Sequence, residues 1–188
     1  MLKILGGKYK RTNLVTPKGK LLRPTSGLKK QAIFNIIINK FNKINNQSPL
    51  NNKIVLDAYA GSGNLGIESM SYGAKYCYFI ENNELIFQFL EKNCNKILKA
   101  NTFKIIKSKY DKLSILEIKK EIDIVFLDPP YNLNINKNVF DIIILNNKKI
   151  PFFVVETESK TKLPKINNLY IIDERFFGKT KITFLKGK

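Results

Sequence analysis

Two stretches of the sequence set acids where chemistry could be done. The first reads Asp57-Ala58-Tyr59-Ala60-Gly61-Ser62-Gly63-Asn64-Leu65-Gly66, and Glu81 follows twenty residues after Gly61. Gly61, Gly63 and Gly66 have the G-x-G-x-x-G spacing, which lets a backbone approach a ligand where a helix begins. A helix N-terminus favours a negative group, and a carboxylate at Glu81 can accept two hydrogen bonds from ribose hydroxyls. By spacing alone, the loop serves a nicotinamide dinucleotide as well as S-adenosylmethionine. Asp57 separates the two: an acid just before the glycines repels a pyrophosphate but suits the ammonium of a methionine moiety. Asp57, Ala60, Gly61, Gly63, Gly66 and Glu81 are therefore the candidate cofactor residues, and S-adenosylmethionine is the expected cofactor.

The second stretch is Asp128-Pro129-Pro130-Tyr131, behind the apolar run Ile124-Val125-Phe126-Leu127. Such a run is apolar on both faces, as in an inner strand of a parallel sheet. An exocyclic amine on a nucleobase is a poor nucleophile, because its lone pair is delocalised into the ring. Asp128 and the Pro129 carbonyl can accept hydrogen bonds from that amine and aim its lone pair. The prolines Pro129 and Pro130 fix the local φ angles, and Tyr131 can stack on a base swung out of its helix. Orientation and exclusion of water, more than strong base catalysis, would supply the acceleration.

These residues need a frame that gathers them. Strands are predicted at residues 53–60, 75–81, 103–107, 122–128 and 152–156, alternating with helices at 64–73, 83–98, 111–119 and 136–146. The C-terminal stretch predicts two strands joined near Gly178-Lys179. Repeated β-α units imply an α/β, Rossmann-like sheet, mostly parallel, with an antiparallel hairpin at the end. Ligands of such sheets lie over the carboxyl ends of the strands, which is where Asp57, Glu81 and Asp128 all fall. Residues 1–48 are expected as a basic β/helix extension and 49–188 as the main domain, with 42–53 as a polar linker. The extension holds β-like pieces at "LKIL" and "NLV". It also holds a helix behind Thr25 or Ser26, with Leu28, Ala32, Ile33, Ile36, Ile37 and Phe41 at helical spacing.

Composition narrows the function classes. The chain has no histidine and two cysteines, Cys77 and Cys94, so Ser-His and Cys-His pairs are excluded and no metal site is expected. Buried, reduced thiols in a cytoplasmic protein are the expectation. No apolar run reaches the roughly 20 residues that span a bilayer, so no membrane partner is expected either. The formal charge is +18, from 33 lysines and arginines against 15 acids. Almost all of the positive charge is lysine, and such a field attracts polyanions, nucleic acid above all.

On these residues the chain resembles a known family. "DAYAGSGNLGIESMSYGA", "YFIE" and "DPPY" resemble the motifs of class I methyltransferases that act on amino groups. "KILGGKYKR", "LLRPTSGLKKQAIFNII" and "ERFFGKTKITFL" resemble the RsmD family, which methylates N2 of a guanine in small-subunit (16S) ribosomal RNA. The resemblance spans nearly the whole chain. It implies that Arg23, Pro24 and Thr25 shape the cofactor and base pocket, and that Gly7, Lys8, Lys10 and Arg11 face RNA. The substrate it implies is 16S rRNA or a small-subunit particle, and a monomeric enzyme is expected. Two departures stand out. Gly27 and Gln31 replace acids usual near the start of the N-terminal helix. Ser108 and Lys109 occupy the place of the side chain that meets the adenine amine, and lysine cannot accept that hydrogen bond. Methyl transfer to adenine or cytosine in DNA, a non-catalytic RNA-binding assembly protein and a nicotinamide oxidoreductase are the competing readings.

Overall fold

A computed structural model describes residues 2–17, 19, 25–41, 50–130 and 135–188. In chain order the elements are α1 (Gly27–Phe41), β1 (Ile54–Asp57), α2 (Asn64–Ser71), β2 (Tyr76–Glu81), α3 (Glu84–Ile97) and β3 (Phe103–Lys107). They continue with α4 (Lys112–Leu116), β4 (Ile124–Leu127), α5 (Lys137–Ile144), β5 (Phe152–Glu158), β6 (Leu169–Phe177) and β7 (Thr180–Gly187). Among the described residues these strands form one sheet in the order β3-β2-β1-β4-β5-β7-β6. The pairs from β3 to β5 are parallel, and β7 lies antiparallel between β5 and β6. Strand order reverses between β1 and β4, so the switch point opens beside Asp57 and Asp128.

Alternation along the strands divides the core in two. Val55, Phe79 and Phe126 pack with Ile33, Phe34, Ile67 and Leu90 on one face. Leu56, Tyr78, Val125 and Phe153 pack with Ile115 and Phe140 on the other. Burial on both faces is what made β4 a continuous apolar run. The predicted strands and helices all form, with ends moved by a few residues; the hairpin turns at Gly178-Lys179 as expected.

The N-terminal segment departs most from its expected form. Its two β-like pieces make a single antiparallel bridge, Lys3 to Asn13, because the Gly6-Gly7 turn docks on α2 instead of extending a ladder. A Cβ on Gly7, at φ 71°, would lie 1.9 Å from the Ser71 carbonyl oxygen. The Lys8 N–H donates to that same oxygen at 2.8 Å. Of the predicted linker, residues 42–49 lie outside the described residues, while Leu50 is fully buried and Lys53 pairs with Asp123 at 3.0 Å.

Helix α1 keeps Ile33 and Ile37 of its expected face in the core but departs from it in its first turn. Leu28 is 74% exposed, whereas Lys29 and Lys30 are buried. Lys30 Nζ meets Glu68 Oε2 at 2.7 Å, Asn64 Oδ1 at 2.7 Å and the Lys3 carbonyl at 2.6 Å. Glu68 in turn accepts from the Leu5 and Gly6 N–H groups. A buried ion pair with every polar atom occupied is stable where an apolar stripe would be the default. The helix is capped by Ser26, whose hydroxyl accepts from Lys29 N at 3.3 Å; Thr25 is directed elsewhere.

Candidate active site

A cavity of about 770 Å³ opens over the carboxyl ends of β1, β2 and β4. Asp57, Glu81 and Asp128 all line it, together with Thr25, Ala60, Gly61, Ser108, Pro129 and Pro130. Each acid stands where its strand ends, so the parallel sheet itself brings residues far apart in sequence to one rim.

Asp57 is buried, and its Oδ2 accepts from Gly66 N at 2.9 Å. Burial pushes its carboxyl up to about 7, against the Gly66 hydrogen bond, with the charge of Glu81 adding to the rise. Glu81 ties the glycine loop to the start of α3: Oε2 accepts from Gly61 N at 3.0 Å and Oε1 from Asn83 N at 2.8 Å. Burial raises its pKa too, opposed by these backbone donors. A carboxylate has about four acceptor positions, so Glu81 keeps capacity for a ligand's hydroxyls.

Asp128 Oδ2 accepts from the Thr25 hydroxyl at 2.9 Å. Burial raises the Asp128 carboxyl to about 7, with Glu156 adding to the rise, and Thr25 and Lys29 opposing it. Lys29 Nζ is ion-paired to Glu156 Oε1, and both side chains line the same cavity.

Gly63 and Gly66 do not line the cavity. A Cβ on Gly66 would fall 2.2 Å from the Phe79 ring, and Gly63 holds φ 84° against Leu90 and Ile67. Their work is close helix-to-strand packing and the turn into α2, with Gly66 contributing only its N–H to Asp57. The four residues expected to face RNA, Gly7, Lys8, Lys10 and Arg11, are all exposed. Gly7 also forms the docking turn. That turn sits at the far end of α2 from the cavity, about 12 Å along an eight-residue helix. Arg23, Pro24 and Tyr131 lie outside the described residues.

Several cavity residues were given no role by the sequence reading. Tyr59 and Tyr110 form an aromatic wall, ring centroids 5.7 Å apart, and the Tyr110 hydroxyl donates to the Val139 carbonyl at 2.9 Å. Lys29 and Glu156 are the other pair missed. Lys29 was hidden inside a helix read by its apolar spacing, and Glu156 looked like an ordinary strand end.

Comparison with known proteins fits this geometry. A family model described as Conserved hypothetical protein 95 matches residues 2–186. The ribosomal RNA small subunit methyltransferase D of Haemophilus influenzae is 29% identical over 94% of this chain and 89% of its own length. Its counterpart from Buchnera aphidicola subsp. Baizongia pistaciae is 31% identical over 78% of this chain and 69% of its own. The chain belongs to this methyltransferase family. Among solved structures, the yhhF protein of Escherichia coli, described as a candidate methyltransferase, matches with a TM-score of 0.82. It is 25% identical, and the match covers 100% of this chain and 98% of that one.

As a class I methyltransferase of this family, the chain is built for S-adenosylmethionine, and its cavity fits that group. Asp57 could meet an ammonium there and Glu81 the hydroxyls of a ribose. The Ser62 hydroxyl, 1% exposed at the cavity wall, has no protein partner and is left for a ligand to satisfy. Ser108, Lys109, Tyr110 and Asn82 border the same space. Glu81→Ala is expected to weaken S-adenosylmethionine binding by roughly tenfold to a hundredfold, as loss of hydrogen bonds to a charged acceptor does. Calorimetric titration measures it.

Proposed function

We propose that this methyltransferase transfers the methyl group of S-adenosylmethionine to the exocyclic N2 of a guanine in small-subunit (16S) ribosomal RNA. The observation that carries the reading is the convergence of Asp128, held by Thr25, with Asp57 and Glu81 on one cavity. The bound cofactor supplies a sulfonium methyl open to in-line displacement. The chain's residues do the rest. Asp57 and Glu81 hold the donor, while Asp128 Oδ1 and the Pro129 carbonyl accept the two N–H groups of the amine. With its lone pair aimed, the amine nitrogen would form the new N–C bond, the bound cofactor supplying the methyl and its sulfur taking up the electrons of the C–S bond. The proton that the nitrogen sheds goes to Asp128 or to water.

Thr25 fixes one Asp128 oxygen, so the other is oriented before substrate arrives, and little freedom remains to be lost. Lys8, Lys10 and Arg11, exposed about a helix length away, suit RNA phosphates flanking the target. The names of the relatives support the RNA substrate, and the amino-group motif supports the nitrogen acceptor.

Small-subunit particles from a host lacking the enzyme, incubated with this protein and labelled cofactor, test the reading by nucleoside mass analysis. The label is expected in N2-methylguanosine at one position. Label in N6-methyladenosine, or none in RNA, overturns it.

A further inference from the structure

We propose that Glu156 reads the guanine: its unpartnered Oε2 accepts the ring N1–H while Asp128 and the Pro129 carbonyl hold the adjacent N2 amine. This rests on the guanine reading above and names the residue that enforces it.

The register of the sheet sets the two acids side by side. Leu127 of β4 pairs with Val155 of β5 in parallel, so Asp128 and Glu156 occupy the next position on neighbouring strands, which run roughly 4.8 Å apart. Both side chains line the cavity. One Glu156 oxygen, Oε1, is ion-paired to Lys29, which fixes the carboxylate from α1. The other, Oε2, is buried without any hydrogen-bond partner, on a residue only 7% exposed. Tying α1 to β5 needs one oxygen. The second, left unsatisfied beside the candidate catalytic acid, is what a purely structural pair would not require.

Base chemistry says what would satisfy it. In guanine the amine is next to a ring N–H, whereas in adenine and cytosine it is next to a ring nitrogen lone pair. A carboxylate beside the amine-holding acid therefore attracts guanine and repels the other two. Sites built to receive a substrate N–H reject analogues lacking it far more strongly than they reject a change of size. Repulsion of the wrong base is specificity by the same means.

The test uses small-subunit particles reconstituted with ribosomal RNA ligated to carry guanosine, 2-aminopurine riboside or adenosine at the mapped position. 2-Aminopurine keeps the amine at C2 but has a lone pair at N1. Wild type is expected to methylate guanosine at least roughly tenfold to a hundredfold faster than 2-aminopurine. In Glu156→Gln, a carboxamide that can turn a donor toward N1, the guanosine rate falls and that ratio collapses toward one. Calorimetry with S-adenosylmethionine reports whether the variant is folded; if it is not, the wild-type ratio alone decides. Equal wild-type rates on guanosine and 2-aminopurine overturn the role of Glu156 while leaving the guanine reading intact, as does a ratio unchanged in the folded variant. Transfer to adenosine but not guanosine overturns the guanine reading and this proposal with it.

Discussion

Asp128→Ala should lower methyl transfer by about a thousandfold while S-adenosylmethionine affinity stays within a few-fold of wild type. The size follows from what the side chain does. Removing one preorganised group from a water-excluded site costs roughly a hundredfold to a thousandfold, and here the same group also fixes the amine's direction. Cofactor affinity is spared because Asp57 and Glu81, not Asp128, face the donor in this reading. Single-turnover rates at saturating cofactor, with calorimetry alongside, measure both. Full activity in the variant would remove the role assigned to this acid.

The pH profile carries the same assignment. The Asp128 carboxyl is raised to about 7, chiefly by burial and next by Glu156, and only its ionised form offers Oδ1 to an amine N–H without presenting a competing O–H. The rate at saturating cofactor should therefore climb through about pH 7 and level off above it. Stability runs the other way. Between about pH 4, where an unfolded aspartate titrates, and about pH 7, folded Asp57 and Asp128 retain protons that the unfolded chain has shed. Their contribution to folding is fully present below that range and is lost as pH rises through it. The site is thus most active where its acids burden the fold most.

The sequence showed these acids because strand ends in a parallel sheet carry their own signature: an apolar run that stops on a carboxylate. Asp57, Glu81 and Asp128 were legible in that way, and so was the order of strands and helices around them. The glycine spacing was legible as a loop but not in its division of labour. Only three dimensions show that Gly61 reaches the cavity while Gly66 lies under Phe79. Hydrophobic periodicity found Ile33 and Ile37 in α1 but misread its first turn. It counts Leu28 as core and lysines as surface, whereas Lys29 and Lys30 are buried because carboxylates from β5 and α2 wait for them. A buried ion pair depends on a partner distant in sequence, 127 residues away for Lys29 and Glu156, and no local pattern encodes it.

The second ion pair gives the largest expected effect on folding. Glu68 is fully buried and joins three segments: Lys30 of α1, its own helix α2, and the Leu5 and Gly6 amides of the N-terminal turn. Glu68→Ala strips the buried Lys30 ammonium of its counter-charge, leaving it only the Asn64 and Lys3 oxygens, and leaves two backbone donors without an acceptor. Breaking such a pair from one side costs about 3–5 kcal/mol, a fall in Tm on the order of 10 °C for a chain of this size. Lys30→Met should cost less, because the Glu68 carboxylate would keep its two amide donors. Burial already lowers the Lys30 pKa, with Glu68 holding it up. Without Glu68 the amine sheds its proton more readily, so the penalty should shrink as pH rises toward 10. The damage should also be local before it is global. The segment bearing Lys8, Lys10 and Arg11 loses its anchor to α2, so limited proteolysis should cut there first, and RNA affinity should fall while folded protein still binds S-adenosylmethionine. Equal losses from the two single substitutions, or a turn that stays protected, would show that Lys30 and not Glu68 is the group on which this corner depends.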